Sequence, residues 1–260
     1  MSPDDRWPMP AIGTLAVVLL LSVPLRAQTV AELNAMGDRA HSEFRSGEAL
    51  RYYEAALAID SLDVHALQQA SLSAVDVGEG TSDRAEAATL FRLGEHYGRR
   101  AVAVAPDSAE SHFNLARALG RAALNVGVRD RVRYAVEVRH QALAALEIDA
   151  DHPGALHVLG MWNAEVMRLN GFEKFFAKRF LGGRIFDSAS WNDAVRYMER
   201  AVRVDPARLS HKLDLGLIYR DIGEKAKARA QLEAVVSGAR TDINDPLYKR
   251  QAQRALERMP

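Results

Sequence analysis

The stretch AVRVDP, residues 201–206, is one of four copies of a single pattern. The other copies are ALAIDS from residue 56, AVAVAP from residue 101 and ALEIDA from residue 145. Each copy begins with alanine, has apolar residues second and fourth, and then enters a turn. This pattern is typical of a helix end. We therefore interpret the copies as the ends of four helices that recur along the chain.

The interval from each copy to the next helix is constant. The next small residue in a helical context always lies 15 residues after the alanine. A constant interval predicts a constant connection between one helical unit and the next. The residues reached in this way are Ser71, Ala116, Gly160 and Gly216.

The interval inside each unit varies. It is 19 residues from Gly37 to Ala56 and again from Gly216 to Val235, whereas the three middle units give 30, 29 and 41. Repeat proteins accept added residues in loops on one face of the stack. We therefore expect the extra residues of the middle units to lengthen their internal turns along one edge.

The compact units resemble the tetratricopeptide repeat, a helix-turn-helix unit of about 34 residues. The last unit matches through Leu215, Gly216, Tyr219, Gly223 and Ala228. The first unit matches through Gly37, Ala49, Tyr53 and Ala56.

The second half of the chain resembles the regulator of microtubule dynamics family. The resemblance rests on ALEIDADHPGALHVLGMWNAEV, on the insertion GFEKFFAKRFLGG, and on the SASWNDAVRYMERAVRVDP segment that follows it. It implies tetratricopeptide-like repeats and an adaptor role, and we assign no functional residues from it.

These patterns predict an all-α protein. We expect an α-solenoid of about five tetratricopeptide-like helix hairpins with lengthened internal turns, formed by residues 28–260. Pro246 should open a last helix, residues 246–259, that caps the stack.

The N-terminus differs from the rest of the chain. Residues 11–25 (AIGTLAVVLLLSVPL) form an apolar run that ends near Ala27. The run is shorter than the roughly 20 residues of a spanning helix and has the form of a signal peptide. We expect residues 1–27 to be cleaved and the protein to be exported, periplasmic or secreted. The alternative is an uncleaved membrane anchor.

Composition argues against several kinds of chemistry. Lys+Arg and Asp+Glu are both 34, so we expect no nucleic-acid partner. The chain has no cysteine, and its eight histidines lack ligand spacing, so we expect no metal and no cofactor. No phosphate-binding loop or hydrolase motif occurs, and we expect no catalytic residues.

Two surfaces are candidates for partner binding. The first is the groove lined by the first helix of each unit, a mixed apolar and charged wall suited to a protein or peptide. Its candidate residues are Phe113, Arg117, Arg121, His157, Met161, Glu165, Leu213, Leu217 and Arg220.

The second surface is the insertion, residues 171–191, in which phenylalanines alternate with basic residues. The insertion either packs onto its own repeat or meets a partner, or a membrane if the N-terminal segment is retained. Its candidate contact residues are Phe175, Phe176, Arg179 and Phe180. The function predicted from both surfaces is that of a non-enzymatic scaffold or adaptor.

Overall fold

The computed structural model describes residues 28–169 and 183–259. Within these ranges 81% of residues are helical, and none lies in a strand. Two short 3₁₀ turns, Ala123–Asn125 and Gly183–Ser188, accompany the α-helices. The helices are α1 Val30–Ser42, α2 Ser46–Ile59, α3 Val64–Gly80, α4 Arg84–Val104, α5 Ala109–Ala122, α6 Val128–Ile148, α7 Pro153–Arg168, α8 Trp191–Val204, α9 Leu209–Asp221, α10 Lys225–Ser237 and α11 Asp245–Glu257.

The first ten helices pair in chain order into five hairpins, and α11 packs on the last of them. Four connections join one hairpin to the next, and each has four residues: 60–63, 105–108, 149–152 and 205–208. The predicted α-solenoid of five hairpins with a capping helix is therefore confirmed.

Side-chain caps fix where most first helices begin. Asp63 accepts a hydrogen bond from the backbone N–H of Ala66 (2.7 Å) at the start of α3. Ser108 and His152 cap α5 and α7 in the same way. Each cap satisfies a backbone donor that the first helical turn leaves free. These caps fix the last residue of three connections, and the fourth has the same length although Arg208 makes no side-chain cap.

The extra residues of the second and third hairpins do not lie where we expected them. Their internal turns are short, residues 81–83 and 123–127. The added residues instead extend the helices, so that α4 and α6 each have 21 residues and α2 has 14. The predicted lengthening of these two turns is wrong. In the second hairpin no residue ends α3 before Thr81, and Asp83 already caps α4. In the third hairpin α6 begins directly after Gly127. In the fourth hairpin, 22 residues (169–190) separate α7 from α8.

Small residues occupy the helix crossings, as the repeat pattern predicted. The alanines that open the four copies, at positions 56, 101, 145 and 201, are completely buried. A Cβ atom on Gly37 would lie 2.4 Å from the ring of Tyr53 in the partner helix. A Cβ atom on Gly216 would lie 2.9 Å from the side chain of Leu232. The two helices of these hairpins are thus closer than any larger residue would permit.

Gly37→Ala should lower the free energy of unfolding by about 2 kcal/mol, because the new methyl group meets a fully buried ring. The ring cannot easily move, since the Tyr53 hydroxyl donates to Asp38 at 2.8 Å. The midpoint of urea unfolding, followed by circular dichroism, measures the change.

The matched control is Gly120→Ala in α5, where no atom lies within 4 Å of the added methyl group. This variant should be stabilised by up to about 1 kcal/mol through helix propensity. Equal effects of the two substitutions would contradict close helix contact at Gly37.

Candidate functional site

The first helices of the hairpins form the inner wall of the stack. Successive first helices, α3 with α5, α5 with α7 and α7 with α9, pack against each other. The second helices stand farther apart and are bridged by long side chains, for example where the Tyr97 hydroxyl donates to Glu54 (3.0 Å). Because one helix of each hairpin is closer to its neighbours than the other, the stack curves toward the first helices. We call this concave surface the groove.

Polar side chains link the first helices along the groove. The Asp38 carboxylate accepts a hydrogen bond from His65 Nε2 (2.7 Å), which joins α1 to α3. Gln68 of α3 donates to Ser111 of α5 at 2.9 Å. These contacts fix the angle between hairpins because hydrogen bonds are directional.

The two groove arginines of α5 are bound by carboxylates of α3. Arg117 Nη2 lies 2.6 Å from Asp76 Oδ1 and 3.0 Å from Glu79 Oε1. Arg121 Nε lies 2.9 Å from the same Glu79 oxygen. The Asp76 and Glu79 side chains are almost completely buried. Arg117 and Arg121 therefore hold the second and third hairpins together.

The electrostatics of this cluster keep Glu79 ionised. Burial alone would raise the pKa of its carboxyl, but the charges of Arg121 and Arg117, followed by hydrogen bonds from Tyr248 and Arg117, lower that pKa to about 2. Asp76 differs from Glu79, because burial raises the pKa of its carboxyl in spite of the neighbouring charge of Arg117. Removing Arg117 would leave the buried Asp76 carboxyl without its ion-pair partner, which is strongly destabilising, whereas Glu79 would keep Arg121.

The beginning of α11 reaches across the groove to the end of α3. The Tyr248 hydroxyl donates to Glu79 Oε2 at 2.6 Å. The side-chain amide of Asn244 donates to the backbone carbonyl of Asp76 at 3.0 Å. These pairs are separated by 169 and 168 residues, so the contact joins the capping helix to the second hairpin.

Two histidines meet between the fourth and fifth hairpins. His157 Nδ1 of α7 lies 2.6 Å from His211 Nδ1 of α9, and His157 Nε2 lies 3.1 Å from Asp214 Oδ2. One proton fits between the two Nδ1 atoms, so the contact requires at least one neutral ring. Burial first, and then the nearby His157 and Arg208, lower the pKa of His211 to about 2.

The remaining groove candidates divide by exposure. Leu213 is 2% exposed and belongs to the core between α9 and α11. The side chains of Phe113, Met161 and Leu217 are half-buried. Glu165 and Arg220 are exposed at the rim.

Most of the insertion lies outside the described residues, including Phe175, Phe176, Arg179 and Phe180. Its final part is described. Phe186 is buried and stacks on Trp162 of α7, with ring centroids 6.0 Å apart. This end of the insertion packs onto α7 of its own repeat and also onto α6 of the preceding hairpin.

Several residues of the groove were not predicted from the sequence. Asp76, Glu79, Asn244 and Tyr248 are polar positions in helices or turns, with no motif that marks them. Pro246 did indicate where α11 begins, but no local pattern indicates which helix lies opposite. Within the ranges that the structure describes, no group of three or more His, Asp or Glu side chains could hold a metal ion.

Five helix hairpins in a curved stack define a tetratricopeptide-like helical repeat scaffold. Residues 33–260 match the family model described as Regulator of microtubule dynamics protein 1-3. The chain belongs to this family. It is 24% identical over 158 residues to Regulator of microtubule dynamics protein 3 of Rattus norvegicus, a match that covers 60% of this chain and 33% of that protein. The chain thus spans about a third of the length of this relative.

Solved structures show the same architecture. A thermophilic TPR protein of Thermus thermophilus, TTC0263, has a TM-score of 0.63 and 16% identity, covering 87% of this chain and 100% of that one. The pilF protein of Pseudomonas aeruginosa has a TM-score of 0.51 and 14% identity, covering 88% and 84%. At these identities the likeness concerns the fold.

His211 should make the protein less stable in acid. The unfolded chain binds a proton at His211 below its ordinary pKa of 6.5, whereas the folded chain does so only near pH 2. The stability that neutral His211 contributes is therefore complete above pH 6.5 and is lost as the pH falls. Between pH 7 and pH 5 the loss should be about 2 kcal/mol.

His211→Asn is the matched variant, since an amide can face His157 but does not titrate in this range. Urea unfolding at pH 7 and pH 5 should show a pH-dependent loss about 2 kcal/mol smaller in the variant than in the wild type. Equal losses in both proteins would show that His211 does not cause the acid sensitivity.

Proposed function

We propose that this protein is a non-enzymatic scaffold or adaptor that binds a protein or peptide partner in its groove. The observation that carries the proposal is the row of half-buried apolar side chains on three successive first helices, Phe113, Met161 and Leu217. Apolar side chains in a concave surface supply binding energy when a partner covers them.

The charged residues of the groove have different roles in this proposal. Glu165 and Arg220 lie exposed beside the apolar row, where their ion pairs with Arg168 and Asp221 are at the surface and can be exchanged, and are suited to orient a partner. Arg117 and Arg121 bind Glu79 of the chain itself and shape the wall. The partner surface is therefore centred on the apolar row. An extended or helical segment with apolar side chains and a mixed charge fits it.

Met161→Glu should abolish partner binding, because a carboxylate would be desolvated under the partner. The matched control is Ile148→Glu, which places the same change on an exposed apolar residue at the end of α6, a second helix. We expect affinity capture from the cell envelope to retain the same partner with wild type and Ile148→Glu and to lose it with Met161→Glu. Circular dichroism confirms that both variants are folded. Retention of the partner by Met161→Glu would contradict binding in the groove.

We propose further that the protein is exported after removal of residues 1–27. The support is the apolar run and the small residue Ala27 before the first polar helix. None of the helices in the described part of the chain is long and apolar enough to cross a bilayer. The second candidate is a membrane-tethered adaptor that retains this run and uses the Phe/Arg-rich insertion as a further contact.

The mass of the intact protein purified from its native host separates these two candidates. Cleavage after Ala27 predicts a chain that begins at Gln28. A mass that includes residues 1–27 would instead support the tethered adaptor. An exported protein has no access to microtubules. We therefore propose an adaptor role in which microtubules are not the partner, although the name of the rat relative refers to them.

A further inference from the structure

Residues 240–248, which we term the clasp, connect the fifth hairpin with the first two. Besides the Asn244 and Tyr248 hydrogen bonds to α3, the Arg240 guanidinium lies 4.3 Å from the ring centroid of Phe44 in the turn of the first hairpin. Asn244 and Tyr248 are buried, at 4% and 8% exposure. The clasp therefore joins the connection side of the fifth hairpin, where Asp242 pairs with Arg208, to the internal-turn side of the first two hairpins, and closes the curved stack on itself.

The contacts between the clasp and the early hairpins are polar. Tyr248 packs its ring with Leu213, Leu232 and neighbouring residues of α9 and α10. The end of α3 packs instead with α4 and α5, through Val75. Among the described residues no hydrophobic cluster contains both α11 and α3. Hydrogen bonds alone contribute little net stability because water can replace them.

Opening the clasp would leave no buried charge without a partner. Glu79 keeps both of its arginine contacts when the Tyr248 hydroxyl leaves. Asp76 keeps its ion pair with Arg117. In the open state the Tyr248 ring stays in the core of the fifth hairpin, and its hydroxyl and the Asn244 side-chain amide form hydrogen bonds with water instead. Both sides of the contact are thus stable when apart, which is the property that a reversible contact requires.

We propose that the clasp is a gate that closes the groove in the free protein and opens when a partner enters. This inference rests on the proposed binding function of the groove and states how access to it is regulated. The closed stack and the open stack differ in a few hydrogen bonds and one cation–π contact, whereas the hairpins themselves stay intact. A partner that binds the open stack more tightly shifts the population toward it.

Spin labels test the opening without any partner. The chain contains no cysteine, so Arg84→Cys and Arg250→Cys, two exposed positions on α4 and α11, supply unique label sites. With the clasp intact, electron–electron distance measurements should give one short distance. Asn244→Ala/Tyr248→Phe should raise the population at longer distance by at least about tenfold, since two hydrogen bonds are lost.

Tyr53→Phe is the control for these measurements. It also removes a phenol–carboxylate hydrogen bond, to Asp38, but inside a single hairpin. This variant should keep the short distance. An unchanged distance in the Asn244→Ala/Tyr248→Phe protein would overturn the clasp proposal.

A disulfide tests whether opening controls access. A Cβ atom added to Gly80 would lie 3.3 Å from the side-chain oxygen of Asn244, so Gly80→Cys/Asn244→Cys places two thiols at this contact, and oxidation to a disulfide locks the clasp. The partner in this test is the protein that wild type captures and Met161→Glu loses. The oxidised variant should retain at least about tenfold less of this partner than the reduced variant does. Equal retention would overturn the gate while leaving groove binding intact. If the wild type retains no partner, the proposed function fails, and the spin-label distances still decide whether the clasp opens.

Discussion

The close approach of two helices at a small residue is the contact on which this structure depends. At Gly37 the backbone of α1 meets the Tyr53 ring, and at Gly216 the backbone of α9 meets Leu232. A helix pair held this closely buries its apolar faces with little freedom to slide or rotate. Each hairpin is therefore a defined building block. Repetition of this block produces the stack.

The curvature of the stack follows from how the blocks are joined. Connections of four residues, which end at caps such as Asp63 and Ser108, place each first helix against the preceding one. The shorter distance on the side of the first helices produces the groove. It also brings polar residues of neighbouring hairpins together, as in the Asp38–His65 and Gln68–Ser111 contacts. The same geometry that forms the groove therefore limits which of its side chains remain available to a partner.

Arg117 and Arg121 illustrate this limitation. They lie on the groove side of α5, but α3 supplies two buried carboxylates that bind them. A guanidinium group so engaged contributes to the angle between hairpins more than to recognition. The half-buried apolar side chains of the groove make no ion pairs, although Phe113 packs on His152 and Met161 and Leu217 pack partly against core clusters. We propose these side chains as the binding surface, and the clasp adjoins them through Leu217, which packs beside α11.

The sequence by itself determined the hairpins, the constant connections, the small residues at the crossings and the start of α11, because each depends on neighbours within about one repeat. It did not determine that the extra residues of the second and third hairpins extend their helices. In the second hairpin, for example, the helices end and begin at Thr81 and Asp83. The spacing of small residues does not indicate where such a turn falls. Only the tertiary structure decided that Asn244 and Tyr248 meet α3, and that His157 meets His211. Periodicity indicates which face of a helix is buried, whereas the partner of that face depends on curvature summed over several hairpins.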